Sequence, residues 1–151
     1  MVKRYISIAV VCKNILTKKT GKTQAKNMPA LEKAATKVEE VVNKLGDVAI
    51  HMGTTAMGPK VLAAFANAHP FLDATGDTVF AWMLLWCAVT AAQKLETAKK
   101  KDVPFYQGVI KSLEFYVQTV LPIILGRFAA MLGTSAVAVE IEPPRSAIPF
   151  L

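Results

Sequence analysis

Apolar residues in the middle of this chain recur with helical spacing from end to end. Over residues 29–52, Leu31, Val38, Leu45 and Met52 fall seven apart, as do Ala34, Val41 and Val48, and Ala35, Val42 and Ala49. Glu32, Lys33, Lys37, Glu39, Glu40, Asn43, Lys44 and Asp47 fill the gaps. That is a broad apolar stripe with a charged back, and its seven-residue repeat predicts shallow, near-parallel packing on neighbouring helices. Pro29 suits a first turn, and the helix is predicted to stop near Gly53, before the loop closed by Gly58-Pro59. A short helix is expected over residues 60–68, interrupted by His69-Pro70.

The third segment runs from Pro70 to about Lys101. Its centre, Thr78–Gln93, holds 16 consecutive uncharged residues. A bilayer crossing needs about 20, so a buried helix is the expectation. Lys99, Lys100 and Lys101 would sit at the negative end of its dipole. Asp102 is placed to cap a last long helix with Pro104 in its first turn. Tyr106, Val109, Ile110, Leu113, Tyr116, Val117, Val120, Leu121, Ile124 and Phe128 then follow helical spacing. Pro122 should bend that helix and free the carbonyl of Gln118, unless the helix stops and restarts there. Gly133 ends the segment. No segment alternates as a strand would. The expected fold is all-α: an antiparallel up-and-down bundle of three long helices plus a short one over residues 28–136, with a flexible N-terminal arm (1–27) and an extended C-terminal tail (137–151).

Two of these helices are too apolar for the outside of a small monomer. On helix three, Val79, Phe80, Met83, Trp86, Cys87 and Thr90 cover one side and Trp82, Leu85 and Val89 another. Helix four adds Phe115 and Ile123 away from its stripe. Either helix three sits at the centre of the bundle, or the surplus meets a second subunit or another domain. Trp82, Leu85, Trp86, Val89, Phe115 and Ile123 are the candidate interaction surface, and Cys87 is expected to be an inert core thiol.

At 151 residues and 16.3 kDa the chain is one domain. The formal charge of +7 has a single source. Lys3, Arg4, Lys13, Lys18, Lys19, Lys22 and Lys26 lie in residues 1–27 without an acid; the other 11 of the 18 cations face all 11 acids. A nucleic-acid domain would carry its basic stripe on the folded body. The arm reads as a solvated linker that could at most touch a polyanion or an anionic membrane. Its apolar run Tyr5–Cys12 is short for a signal peptide and lacks a cleavage site. Gly21-Lys22-Thr23 lacks the glycine a phosphate loop needs, having Leu16 there. Two cysteines, Cys12 and Cys87, make no disulfide scaffold, and a reducing, cytoplasmic setting is expected.

Catalytic chemistry is not legible. His51 and His69 have no cysteine or carboxylate at ligand spacing, so no metal site is expected. Asp73 and Asp77 share a face and could do acid–base work, but acids are favoured in the first turns of a helix by its dipole alone. No catalytic residue is assigned.

Phe71–Leu95 and Phe105–Pro122 resemble the C-terminal helical domain of bacterial acyl-CoA dehydrogenase-like flavoproteins. In that domain a Gly-Asp (Gly76-Asp77) precedes a Trp-containing helix, and a Phe-Tyr start (Phe105-Tyr106) opens a helix carrying Leu-Pro (Leu121-Pro122). Leu31–Met52 resembles the domain's first part, so the likeness covers about residues 28–140. It implies kinship with FAD enzymes that oxidise acyl-CoA thioesters, a carboxylate removing the α-proton while hydride passes to the flavin. Those groups lie in upstream domains, and no residue here matches the base, a flavin contact or a CoA contact. The resemblance implies a helical accessory or oligomerisation domain, without a cofactor of its own, that associates with copies of itself or with a flavin-containing core. The alternative is a basic-armed scaffold docking on an anionic membrane or nucleic acid; a small enzyme using Asp73 and Asp77 ranks last.

Overall fold

The computed structural model of the chain describes residues 29–133 and 136–140; the basic arm lies outside them. Five helices follow one another among the described residues: α1 (Pro29–Ala56), α2 (Val61–Ala66), α3 (Ala68–Leu95), α4 (Val103–Leu132) and α5 (Val137–Glu140). No strand occurs among them.

The heptads of α1 become the core. Leu31, Ala34, Ala35, Val38, Val41, Val42 and Val48 are buried, and Leu45 and Met52 pack against them. The helix passes Gly53 and continues to Ala56, one turn beyond the expected stop. A lone glycine costs a helix only about 1 kcal/mol, which continued packing offsets. Termination comes where the Thr54 and Thr55 carbonyls accept bonds from the N–H groups of Met57 and Gly58 (3.2 and 3.1 Å), just before Pro59.

The joint between α2 and α3 also differs from expectation. The break falls at Asn67, whose side-chain amide donates to the Ala63 carbonyl (3.0 Å), and α3 begins at Ala68. Pro70 lies in the first turn, where a missing N–H has no helical partner to lose. His69 is thus a first-turn residue and not a loop residue. At the other end α3 stops at Leu95, and Lys99–Lys101 fall in the turns that connect to α4. The Asp102 carbonyl accepts the Tyr106 N–H (3.3 Å), but its carboxylate makes no capping bond. α4 runs through Pro122, which is exposed, without stopping.

α3 and α4 form an antiparallel hairpin, and α1 packs against both. Thr78, Ala81, Leu85, Ala88, Leu113, Leu121, Ile124 and Phe128 meet the stripe of α1 in one core. The Thr78 hydroxyl, fully buried, donates to the Ala74 carbonyl one turn back (2.7 Å). Residues 137–140, expected to be extended, form the single turn α5, closed by Val139 and Glu140 N–H bonds to the Ala136 carbonyl (2.9 and 3.1 Å) and resting on α2.

Two substitutions bracket this description. Phe128→Ala empties a fully buried site and should cost about 3–5 kcal/mol. Pro122→Ala restores a helix N–H at an exposed position and should raise stability by up to about 3 kcal/mol. Urea denaturation followed by circular dichroism reads both.

Candidate functional site: the outer faces of α3 and α4

The six residues singled out as an interaction surface divide in two. Leu85 and Val89 are 4% and 3% exposed and belong to the intramolecular core; they offer nothing to a partner. Trp82 is half-buried, packed against that core, with its indole stacked on Trp86 at 6.2 Å between centroids. Trp86, Phe115 and Ile123 are open to solvent at 49%, 67% and 57%. The cause is simple: Leu85 and Val89 lie on the side of α3 that joins the core shared with α1 and α4, with Trp82 at its edge. Among the described residues helix three is therefore not wrapped all round. Cys87, expected in the core, is an exposed free thiol on the outer side.

Helical spacing arranges the outer sides into two continuous rows. On α3 the exposed residues Leu72, Gly76, Val79, Met83, Trp86 and Thr90 recur in alternating steps of four and three. On α4 the same alternation links Phe105, Gly108, Ser112, Phe115, Thr119, Pro122, Gly126 and Ala129, all exposed. Neither row contains a charge. The hydroxyls on them are already satisfied: those of Thr90, Ser112 and Thr119 donate to the carbonyls of Trp86, Gly108 and Phe115 (3.0, 2.9 and 2.7 Å). These rows thus present mostly carbon, and Leu72 and Phe105 extend the surface beyond the residues foreseen from sequence. The four–three spacing was the available signal.

At the α3 N-terminal end the two helices are tied together. The Arg127 guanidinium donates to an Asp77 carboxylate oxygen (3.1 Å), and the Tyr116 hydroxyl donates to the Asp77 carbonyl (3.1 Å) with its ring tilted against Phe80 (5.2 Å). Both charged partners are about two-fifths exposed, so the ion pair contributes at most ~1 kcal/mol. Burial first, and then the Asp77 carboxylate, hold the Tyr116 phenol above its ordinary 10.0. Asp73, the other acid of the foreseen pair, faces His69 instead (3.5 Å), an attraction present only when the imidazole is protonated. Asp73 and Asp77 hence serve separate partners and form no acid–base couple.

A shallow depression of about 490 Å³ opens beside this tie, lined by Leu72, Asp73, Gly76, Asp77 and Arg127. Its one cation is committed to Asp77, and it offers no nucleophile. A flavin needs a deep apolar slot for its ring system and free cations or amides for its pyrophosphate; the lining of this depression supplies neither, so the depression does not fit FAD. No group of three or more His, Cys, Asp or Glu that could hold a metal exists among them either.

Trp82 Nε1 is buried without a hydrogen-bond partner, at a cost of about 1–3 kcal/mol. Trp82→Phe removes that orphan donor along with some packing and should stay within about 1 kcal/mol of the parent, whereas Leu85→Ala should cost about 2–5 kcal/mol. In alkali the direction follows from the tyrosine. A folded-state pKa above the unfolded value means stability is intact below pH 10 and declines as pH rises through the folded pKa. Thermal melts across that range should show the decline in the parent and a flatter profile in Tyr116→Phe.

No curated protein and no solved structure matches this chain. A family described as "Acetyl-CoA dehydrogenase C-terminal like" matches residues 11–142, beginning inside the segment that sequence reading set apart as an arm. With most of its length matched and an all-α bundle as its fold, the chain belongs to the acyl-CoA dehydrogenase C-terminal domain family.

Proposed function

We propose that this chain is a helical accessory domain of an acyl-CoA dehydrogenase-like system, one that works by being held against a partner and performs no turnover itself. The observation that carries this reading is the pair of uncharged, exposed rows on α3 and α4. Contiguous apolar surface of that kind on a small soluble domain marks a contact site. Family membership supports the setting: acyl-CoA oxidation with FAD belongs to dehydrogenase domains, while this bundle supplies surface. The partners in this reading are a flavin-containing dehydrogenase core or further copies of the chain.

A second reading has a specific observation behind it. α3 and α4 are each long and apolar enough, by length and composition, to cross a bilayer, and the same rows would suit a lipid surface approached by a cationic arm. The tie between Asp77 and Arg127 and the charged back of α1 weigh against full insertion.

Purified chain should show no flavin absorbance and no acyl-CoA-dependent dye reduction; bound yellow cofactor or turnover would overturn the accessory reading. Flotation with anionic vesicles should leave the chain at the bottom of the gradient. Salt-sensitive flotation, lost when the seven cations of residues 1–27 are changed to glutamine in the full chain, would favour the lipid reading.

A further inference from the structure

We infer that the covering of the α3–α4 face is the same face of a second copy, joined about a two-fold axis running along the helices, so that α3 of each chain lies on α4 of the other. This goes beyond the accessory reading by naming the partner, and it rests on that reading only in taking the face to be a docking surface.

Size is the first argument. Helices of 28 and 30 residues at 1.5 Å per residue and about 10 Å width give a face of roughly 40 by 20 Å. That is about 800 Å² per copy, the area one partner contributes to a standard stable interface.

Register is the second. α3 ends at Leu95 and α4 begins at Val103, so the hairpin sets the level at which each residue of one helix passes the other. A two-fold axis along the helices preserves levels. It therefore places Leu72 against the partner's Gly126, Trp86 against the partner's Ser112 and Thr90 against the partner's Gly108. Both rows use the same four–three step, and they stay in phase along their whole shared length. Large meets small where Leu72 and Trp86 lie on the partner's Gly126 and Ser112, and Met83 meets the partner's Phe115, a favourable sulfur–aromatic match. All four helices then run antiparallel to their neighbours, the arrangement of an ordinary four-helix bundle. The other two-fold, across the helices, would lay α3 on the partner's α3 and α4 on the partner's α4, each row facing its own reversed copy without the level match.

Solvation is the third. The hydroxyls on both rows are satisfied within their own helices, so drying the face leaves only the Trp86 indole N–H on the rows to be met by the partner. A Cβ built on Gly76, Gly108 or Gly126 would meet nothing within 4 Å in the single chain. The chain's own packing thus does not require these glycines, although each costs a helix about 1 kcal/mol relative to alanine. Close approach of a partner helix does require them.

Sedimentation equilibrium on the full chain at micromolar concentration tests this. A mass twice the 16.3 kDa chain is expected. Gly126→Leu, which has open space in the single chain, should keep or raise the melting temperature of the isolated fold while weakening association. Trp86→Glu should weaken it about 30-fold or more, the weight of a hot-spot residue. For the axis, Trp86→Cys and Ser112→Cys chains, both lacking Cys12 and Cys87 through serine substitution, are purified separately, mixed and oxidised. The mixed disulfide should dominate. Trp86→Cys chains linking to themselves instead would overturn the axis. A monomer at 100-fold higher concentration, or a dimer unmoved by both face variants, would overturn self-association. Neither result touches the flavin and turnover assays that decide the accessory reading.

Discussion

Three long helices can enclose one seam of apolar side chains, and that geometric limit governs the rest of this molecule. α1 brings a single broad stripe and lays it in the groove between α3 and α4. Everything facing that groove is dry: Val41, Val48, Leu113, Ile124 and Phe128 are all but inaccessible. Everything facing away remains wet, however apolar its chemistry. A fourth long helix would be needed to cover the hairpin's other side, and the described residues of the chain do not provide one. α2 and α5 are too short; α2 leans on α1, and α5 leans on α2.

The sequence disclosed the helices more fully than their surroundings. The α1 heptads identified its buried face residue by residue because the charged back leaves one orientation open. On α3 the same logic had nothing to grip: Trp82, Leu85 and Val89 are no more apolar than Val79, Met83 and Trp86. Only the position of α1 decides between the two sides, and that is set by tertiary packing. Cys87 was misplaced for the same reason. Helix ends were misread by a turn where local punctuation was weaker than packing, as at Gly53, or where a proline was compatible with a first turn, as at Pro70. The tie among Asp77, Tyr116 and Arg127 joins positions 39 and 50 residues apart, a pairing that no local pattern encodes.

The separation of Asp73 from Asp77 has a physical cause. Acid–base sites need carboxylates that share an environment, and here Asp73 and Asp77, one turn apart, face different partners, His69 and Arg127. What Asp77 does is mechanical: its carbonyl holds the middle of α4, and its side chain the last third of α4, to the first third of α3. The outer rows inherit their relative level from that clasp and from the short connection at the other end.

The inward bonding of Thr90, Ser112 and Thr119 carries one more consequence. A surface whose hydroxyls are all spoken for keeps few donors, the Trp86 indole N–H among them, with which to distinguish one neighbour from another. Whatever touches it is sorted mainly by contour, bump against dent. Substitutions that preserve contour, such as threonine to valine, would pass unnoticed, while a single added methylene at a dent would be felt across the whole contact.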